Sequence, residues 1–252
     1  MRDWMRDIGS CGSRNKASSI SIKYPVSSIN YPASHTGITK SNIVHHQVSN
    51  IQYPASYPVM EHFYTIQGEG FHQGRAAYFV RLGGCDVGCV WCDVKESWPM
   101  EGHPILSIEE IVSIVKQSGT PLAVITGGEP LMHNLDTLTK SLQKEGIETN
   151  IETSGSSPLS GSWNWICLSP KKFKAPLPEI LPVAHELKII VYNSSDFAWG
   201  ERFAAQVSEK CKLYLQPEWS KADKMTPLII DYIKDYPKWE LSLQIHKYIN
   251  VP

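Results

Sequence analysis

The sequence contains no apolar run that approaches the roughly 20 residues a membrane-spanning helix needs. It also has no excess of one charge, because 24 Lys and Arg face 25 Asp and Glu. Such a balance provides no basic surface of the kind that binds nucleic acid. Residues 1–7 carry charges of both signs with no apolar stretch behind them, which excludes a secretory signal peptide. We therefore expect a cytoplasmic protein that binds neither nucleic acid nor membranes.

Cysteine is scarce, and its placement excludes a disulfide framework. Of six cysteines, three crowd into residues 85–92, whereas a small secreted domain spreads its cysteines along the chain. A tight triplet in a chain of cytosolic character predicts a metal site. We expect the remaining cysteines to be inert, and one of them lies in an apolar strand where it packs as a small hydrophobe. They are Cys11, Cys167 and Cys211.

The pattern of the sequence changes near its first quarter. Residues 1–56 are rich in Ser, Asn and Tyr-Pro pairs without hydrophobic periodicity, so we expect a disordered extension there. Residues 57–252 are expected to form one catalytic domain. Within it, predicted strands alternate with predicted helices. The strands are 76–82, 122–126, 148–152, 165–168, 187–192, 212–216 and 240–245, and the helices are 108–117, 135–146, 197–210 and 227–236.

This alternation predicts an α/β fold with right-handed crossovers and a parallel sheet. The polar and glycine-rich motifs come directly after strands, where ligands bind in barrel-like and open α/β sheets. The number of strands favours a partial, open β/α barrel over a closed eight-stranded barrel.

The cysteine triplet has the spacing C-x3-C-x2-C, formed by Cys85, Cys89 and Cys92. Three thiolates on one loop can bind three irons of a cubane cluster and leave the fourth iron open for another ligand. A structural zinc site needs a fourth ligand, which Cys167 or Cys211 would have to supply. A ferredoxin-like electron carrier would also need four cysteines. The triplet therefore favours a cluster with one open iron.

Three further motifs end predicted strands. Residues 126–130, TGGEP, contain two glycines that let a ligand approach the backbone closely. Residues 150–155, NIETSG, present two hydroxyl groups, which is equally compatible with an ordinary polar strand end. In residues 168–171, LSPK, and 215–218, LQPE, polar groups flank a proline, as in many turns.

The cysteine spacing with Trp91 before the last cysteine, followed one strand–helix unit later by the GGEP segment, resembles the radical S-adenosylmethionine (SAM) superfamily. The resemblance implies a partial β/α barrel of the radical SAM type. It also implies a 4Fe-4S cluster on the three cysteines, with SAM chelated by the open iron and cleaved to a 5′-deoxyadenosyl radical. It assigns cofactor binding to Trp91, Asp93, Gly128, Glu129, Ser169, Pro170, Lys171, Gln216, Pro217 and Glu218.

Residues 63–93, together with the segments SPK and LQPE and the ending SLQIHKYINVP, resemble 7-carboxy-7-deazaguanine synthases. That family contracts the ring of 6-carboxy-5,6,7,8-tetrahydropterin to 7-carboxy-7-deazaguanine with loss of ammonia, a step toward queuosine in tRNA and related 7-deazapurines. The resemblance implies a homodimer that receives electrons from a flavodoxin- or ferredoxin-like protein. It assigns substrate binding to Ile66, Gln67, Gly68, Glu69, Arg81, Thr126, His246 and the C-terminal Pro252.

The assigned residue types suit a pterin. Glu69 can accept from ring N–H groups, and Arg81 can bind a carboxylate through two hydrogen bonds. One position departs from the family, which also uses Mg²⁺: Val94 follows Asp93 where a threonine hydroxyl is common. Because Mg²⁺ requires oxygen ligands, we expect reduced Mg²⁺ dependence. Another small radical SAM enzyme, such as a glycyl-radical activase acting on a protein, would share the cluster but would not need Gln67, Arg81 or a fixed C-terminus.

Overall fold

The computed structural model describes residues 56–252, so the predicted N-terminal extension lies outside the described residues apart from Ser56, which begins the first strand. The strands are β1 (Ser56–Ile66), β2 (Ala76–Leu82), β3 (Ile105–Ser107), β4 (Leu122–Gly127), β5 (Glu148–Thr153), β6 (Trp165–Leu168), β7 (Glu186–Val191), β8 (Lys212–Pro217) and β9 (Trp239–Leu241). The helices are α1 (Ile108–Gln117), α2 (Asp136–Lys144), α3 (Ser195–Ala204), α4 (Ala222–Asp235) and α5 (Ile245–Ile249).

The strands form one sheet in the order β3-β1-β2-β4-β5-β6-β7-β8-β9. From β2 through β9 every neighbouring pair is parallel, whereas β1 runs antiparallel to both β2 and β3. The two outermost strands, β3 and β9, do not pair with each other, so the barrel is open. The predicted open, mainly parallel α/β fold is confirmed.

The helices cover one face of the sheet with the main apolar core. Ile111 and Val115 of α1, Leu138 and Leu142 of α2, and Ile229 of α4 are fully buried there. Ser107 caps the amino end of helix α1. Its side chain accepts from the Glu110 N–H, and the Glu110 carboxylate accepts from the Ser107 N–H. This capping box was predicted from the sequence and fixes where the helix begins.

The other face of the parallel strands lines the interior of the barrel and carries polar side chains beside a small apolar cluster around Phe79. Glu152 of β5, Lys188 of β7 and Gln216 of β8 all point into it, and the last two are buried. Burying polar side chains costs free energy unless they bond to one another or to a ligand. The polar interior of the barrel is therefore the expected binding site for a ligand.

Three predicted elements differ from the structure. Helix α3 ends at Ala204, because the chain turns there and the N–H groups of Gln206 and Val207 both donate to Phe203. Helix α4 begins at Ala222, so Pro227 lies inside the helix rather than at its start.

The last predicted strand, 240–245, is also wrong beyond Leu241. The N–H of Ser242 donates to Leu215 O, and the side chains of Ser242 and Gln244 turn toward the barrel interior. Two strands, β1 and β3, were not predicted at all.

None of the helices within residues 56–252 is long and apolar enough to cross a membrane.

Candidate active site

A cavity of about 260 Å³ lies at the carboxyl ends of the parallel strands. Segments that follow β2, β4, β5, β6 and β8 all contribute to its wall, as do β1 and the C-terminal residues. Strand β1 supplies Ile66, and the segment after it supplies Gln67, Gly68 and Glu69. The polar motifs that follow the strands in the sequence predicted a site at these strand ends.

The predicted cluster ligands Cys85, Cys89 and Cys92 all line this cavity. The loop that holds them follows β2 and is anchored by backbone hydrogen bonds from Gly84 N to Ser97 O (2.8 Å) and from Cys85 N to Trp98 O (3.0 Å). Burial raises the pKa of the Cys89 thiol to about 11. Burial also raises the pKa of Cys85, although N–H groups of Val87 and Gly88 bond to its sulfur and oppose that shift.

The donor set fits an iron–sulfur cluster. Within residues 56–252 no three His, Cys, Asp or Glu side chains are grouped to hold a single metal ion. A cubane cluster uses a different arrangement, in which each thiolate binds its own iron. Three thiols on one cavity wall supply that arrangement. Binding iron removes the thiol protons, so the raised pKa values belong to the metal-free chain.

The GGEP turn holds the cysteine loop in place. A Cβ atom added at Gly128 would lie 2.3 Å from Gly84 O and 2.6 Å from Cys85 Cβ, so only glycine fits there. The Glu129 N–H donates to Gly84 O over 2.8 Å. The end of β4 and the cluster loop therefore touch through their backbones.

The side chain of Glu129 faces away from the cavity. Its carboxylate accepts hydrogen bonds from Leu131 N (3.0 Å), Thr153 Oγ1 (2.5 Å) and Ser154 N (2.8 Å), and the residue is buried. It therefore ties the ends of β4 and β5 together. Because the carboxylate is engaged in this way, only the backbone of Glu129 is available for the predicted cofactor binding.

Most of the other predicted cofactor residues do line the cavity. They are Trp91, Asp93, Gly128, Ser169, Lys171, Gln216, Pro217 and Glu218, whereas Pro170 is not part of the wall. The Lys171 ammonium donates to Ser169 O (2.5 Å) and Ser169 Oγ (2.7 Å) and lies 6.0 Å from the centre of the Trp91 ring. This side of the cavity is adjacent to the cysteines, because the Lys171 ammonium interacts electrostatically with Cys89.

The opposite side of the cavity is a network of carboxylates and amides. Gln67 Nε2 donates to Glu152 (2.9 Å), Gln67 Oε1 accepts from Glu69 N (3.1 Å), and Gln244 Nε2 donates to Glu69 (2.8 Å). Lys188 donates to Glu69 and lies 3.9 Å from Glu152. Of this network, Gln67 and Glu69 were predicted from the sequence, whereas Glu152, Lys188 and Gln244 were not.

Arg81 and Thr126 lie next to each other on the cavity wall, because they are opposite partners in the parallel pairing of β2 and β4. The guanidinium of Arg81 donates from Nε to Glu61 over 2.7 Å. That contact uses one of its five donors, so a forked pair remains for an anionic ligand. The carboxylate-binding role of Arg81 stays a prediction.

The C-terminal segment closes another part of the wall. His246 and Pro252 line the cavity, and Thr65 Oγ1 donates to Pro252 O over 3.3 Å. Ile245 N donates to Gly68 O over 3.0 Å, and an added Cβ at Gly68 would lie 2.1 Å from His246 Nδ1. The last turn of the chain is therefore packed directly on the segment that contains Gln67 and Glu69.

Comparison with known proteins agrees with this geometry. The radical SAM superfamily model matches residues 79–166, which include the three cysteines and the GGEP turn. The open parallel barrel with its cysteine loop after β2 thus defines a radical SAM enzyme, and the predicted fold type is confirmed. The zinc-module and electron-carrier alternatives are set aside.

Individual relatives identify the family to which the chain belongs within this superfamily. A 7-carboxy-7-deazaguanine synthase of Flavobacterium psychrophilum is 53% identical over 195 residues, which cover 77% of this chain and 92% of the relative. One from Escherichia coli K12 is 34% identical over 221 residues, covering 77% and 99%. The crystal structure of QueE from Escherichia coli matches with a TM-score of 0.68 and 32% identity, covering 79% of this chain and 99% of that one. The chain belongs to the 7-carboxy-7-deazaguanine synthase family.

Proposed function

We propose that the protein converts 6-carboxy-5,6,7,8-tetrahydropterin to 7-carboxy-7-deazaguanine with loss of ammonia, as a step toward queuosine and other 7-deazapurines. The supporting observation is that one cavity combines three cysteines with a floor of carboxylates and amides. A flat ring with several N–H donors complements such a floor, and a carboxylate on the ring complements the guanidinium of Arg81 in the same wall.

Three parts of the wall take different parts of the reactants. Cys85, Cys89 and Cys92 would hold the 4Fe-4S cluster, which supplies the electron that cleaves SAM. The segments ending at Lys171 and Glu218 would bind SAM next to the cysteines. Glu69 would accept from pterin N–H groups, and the free donors of Arg81 would bind the pterin carboxylate.

The proposal is tested by anaerobic reconstitution with iron and sulfide, followed by assay with the pterin and SAM. We expect about four irons per chain and formation of the deazaguanine. A reconstituted enzyme that cleaves SAM but leaves the pterin unchanged would favour another radical SAM activity, such as a glycyl-radical activase.

Cysteine variants test the cluster separately. We predict that Cys89→Ala abolishes 5′-deoxyadenosine formation and lowers the iron content. Cys211→Ala is the matched control, because Cys211 is equally buried but does not line the cavity. Retained SAM cleavage in the Cys89 variant would contradict the cluster assignment.

The dependence on Mg²⁺ is proposed to be weak. Val94 lines the cavity but has no oxygen, and the Asp93 carboxylate pairs with Lys247 over 2.7 Å. Mg²⁺ would then have only Asp93, water and the substrate as ligands. Turnover should respond less to Mg²⁺ than in a Val94→Thr variant, and an equal response of the two chains would contradict this.

The oligomeric state, the location in the cell and the electron donor are also proposals. We propose a homodimer in the cytoplasm that is reduced by a flavodoxin- or ferredoxin-like protein.

A further inference from the structure

Lys188 is a buried cation in the interior of the barrel, and the sequence motifs do not include it. Its side chain is 4% exposed, donates to the Glu69 carboxylate and lies 3.9 Å from Glu152 Oε1. It stands on β7 opposite Tyr214 of β8, in the part of the strand that faces the cavity. A lysine in this position gives up hydration that its two partners must replace.

The surroundings of Lys188 contain more negative than positive charge. Glu69, Glu152 and Glu186 all interact electrostatically with it. Glu152 also accepts from Gln67, and Glu69 accepts from Gln244. Neutral amides orient carboxylates but do not compensate their charge, so Lys188 provides that compensation.

We propose that Lys188 is a positioning residue that holds the carboxylates of Glu69 and Glu152 in place as acceptors for the N–H groups of the pterin ring. This inference rests on the proposed function and adds to it a residue that acts through the two carboxylates. The one hydrogen bond of the ammonium goes to Glu69, so the proposed effect of Lys188 on the ligand passes through that carboxylate.

The charges around Glu69 decide the expected pH dependence. Burial raises the pKa of Glu69, but the charge and hydrogen bond of Lys188, with the Gln244 and Gln216 amides, outweigh burial and lower it below its usual range. His246, from the C-terminal segment, also faces Glu69, and burial lowers the pKa of its imidazole. The other titratable groups nearby are Glu152, Glu186, Cys167 and Lys171.

Removing the ammonium reverses the balance at Glu69. Burial is then opposed only by amides, so the pKa of the carboxyl rises, and buried glutamates reach about 8–9 in such cases. A protonated Glu69 offers fewer acceptor sites to the ring. Since deprotonation restores the acceptor, the affinity of a Lys188→Met variant should increase as the pH rises.

The experiment measures the dissociation constant of 6-carboxy-5,6,7,8-tetrahydropterin by anaerobic calorimetry. It uses reconstituted enzyme with SAM and no reductant, from about pH 6 to about pH 8.5, where ordinary carboxyl groups are ionised. Relative to wild type, Lys188→Met should bind about tenfold more weakly for each pH unit below the raised pKa. Expressing each value relative to wild type at the same pH removes the titration of His246. Lys212→Met, an exposed lysine on β8, is the control and should follow wild type.

Two further variants complete the test. Glu69→Gln combined with Lys188→Met removes the titrating group, so its binding should be weak at every pH. Lys188→Arg keeps the charge and should show the wild-type pH profile, and it decides the question if Lys188→Met does not fold. A Lys188→Met profile parallel to wild type would overturn the inference, as would a Lys188→Arg profile with a new slope. If wild-type enzyme fails to bind the pterin at all, the proposed function itself fails.

Discussion

At the scale of single residues, Gly128 shows how closely the cysteine loop and the sheet approach each other. Its missing side chain leaves room for Gly84 O and the Cβ of Cys85. Neither atom belongs to a flexible side-chain end, so a methyl group there must move backbone.

We predict that Gly128→Ala displaces the cysteine loop and strongly lowers the iron bound after reconstitution. Iron and sulfide per chain, with the visible absorption of the cluster, measure the effect. Gly119→Ala is a matched control, because Gly119 has φ of +72° but open space around it. That control should lose about 1 kcal/mol of stability and keep its iron. Full iron in Gly128→Ala would contradict the steric argument.

The residues of the site were predictable to different degrees. The cysteines and the GGEP turn were found because their chemistry is encoded in contiguous residues. Lys188 lies in the strand segment ELKIIV, where the surrounding apolar residues indicate only burial. Its partners Glu69 and Glu152 are far away in sequence, so nothing short of the strand register brings them together.

At the scale of elements, the carboxylate of Glu129 connects the ends of two neighbouring strands. It accepts from the turn after β4 and from Thr153 and Ser154 at the end of β5. Every partner of this buried carboxylate is a donor. A donor group in its place would therefore leave buried polar groups without hydrogen bonds.

We predict that Glu129→Gln destabilises the protein by about 1–3 kcal/mol, because the new amide places N–H groups against N–H and O–H donors. Urea unfolding monitored by circular dichroism measures the loss. Glu218→Gln provides a comparison at the end of β8, where the carboxylate is exposed and accepts from Ser220. Equal stability of the two variants would contradict the conclusion that the buried Glu129 carboxylate holds the ends of β4 and β5 together.

The contact between Gly68 and helix α5 gives a second prediction at this scale. Gly68→Ala should push His246 and the C-terminal residues outward, because the added carbon overlaps the imidazole. The Michaelis constant for the pterin should rise, whereas pterin-independent SAM cleavage and iron content persist. Gly74→Ala in the same loop is the control for backbone strain without a clash, since Gly74 has φ of +86° but nothing lies within 4 Å of its added carbon. Loss of iron in the Gly68 variant would show that the effect is not confined to the pterin side.

Most elements were predictable from local pattern, and the exceptions have a common cause. Strands β1 and β3 are antiparallel additions at the edge of the sheet, and the prediction was based on alternating strands and helices. In the segment 242–245 polar and apolar residues alternate as in a strand, but its polar side chains donate hydrogen bonds to Glu69 and Gln216. Such tertiary hydrogen bonds override local preference.

At the scale of the whole molecule, residues 56–252 contain the sheet, its helices and every residue of the cavity wall. The curated relatives match 77% of this chain while covering 92–99% of their own length.

We predict that a chain lacking residues 1–50 binds the same amount of iron and turns over the pterin at the same rate as the full chain. The deletion leaves five residues before β1. Parallel reconstitution, thermal melting and turnover assays of both chains measure this. A fall in the melting temperature or in the rate would show that the N-terminal residues stabilise the domain.

The packing of the last turn against β1 also limits how the protein is to be handled. Because Pro252 borders the cavity and its carbonyl oxygen accepts from Thr65, any residues fused after it would begin at the mouth of the reaction chamber. Purification handles and fluorescent fusions attached after Pro252 would therefore start against the cavity wall.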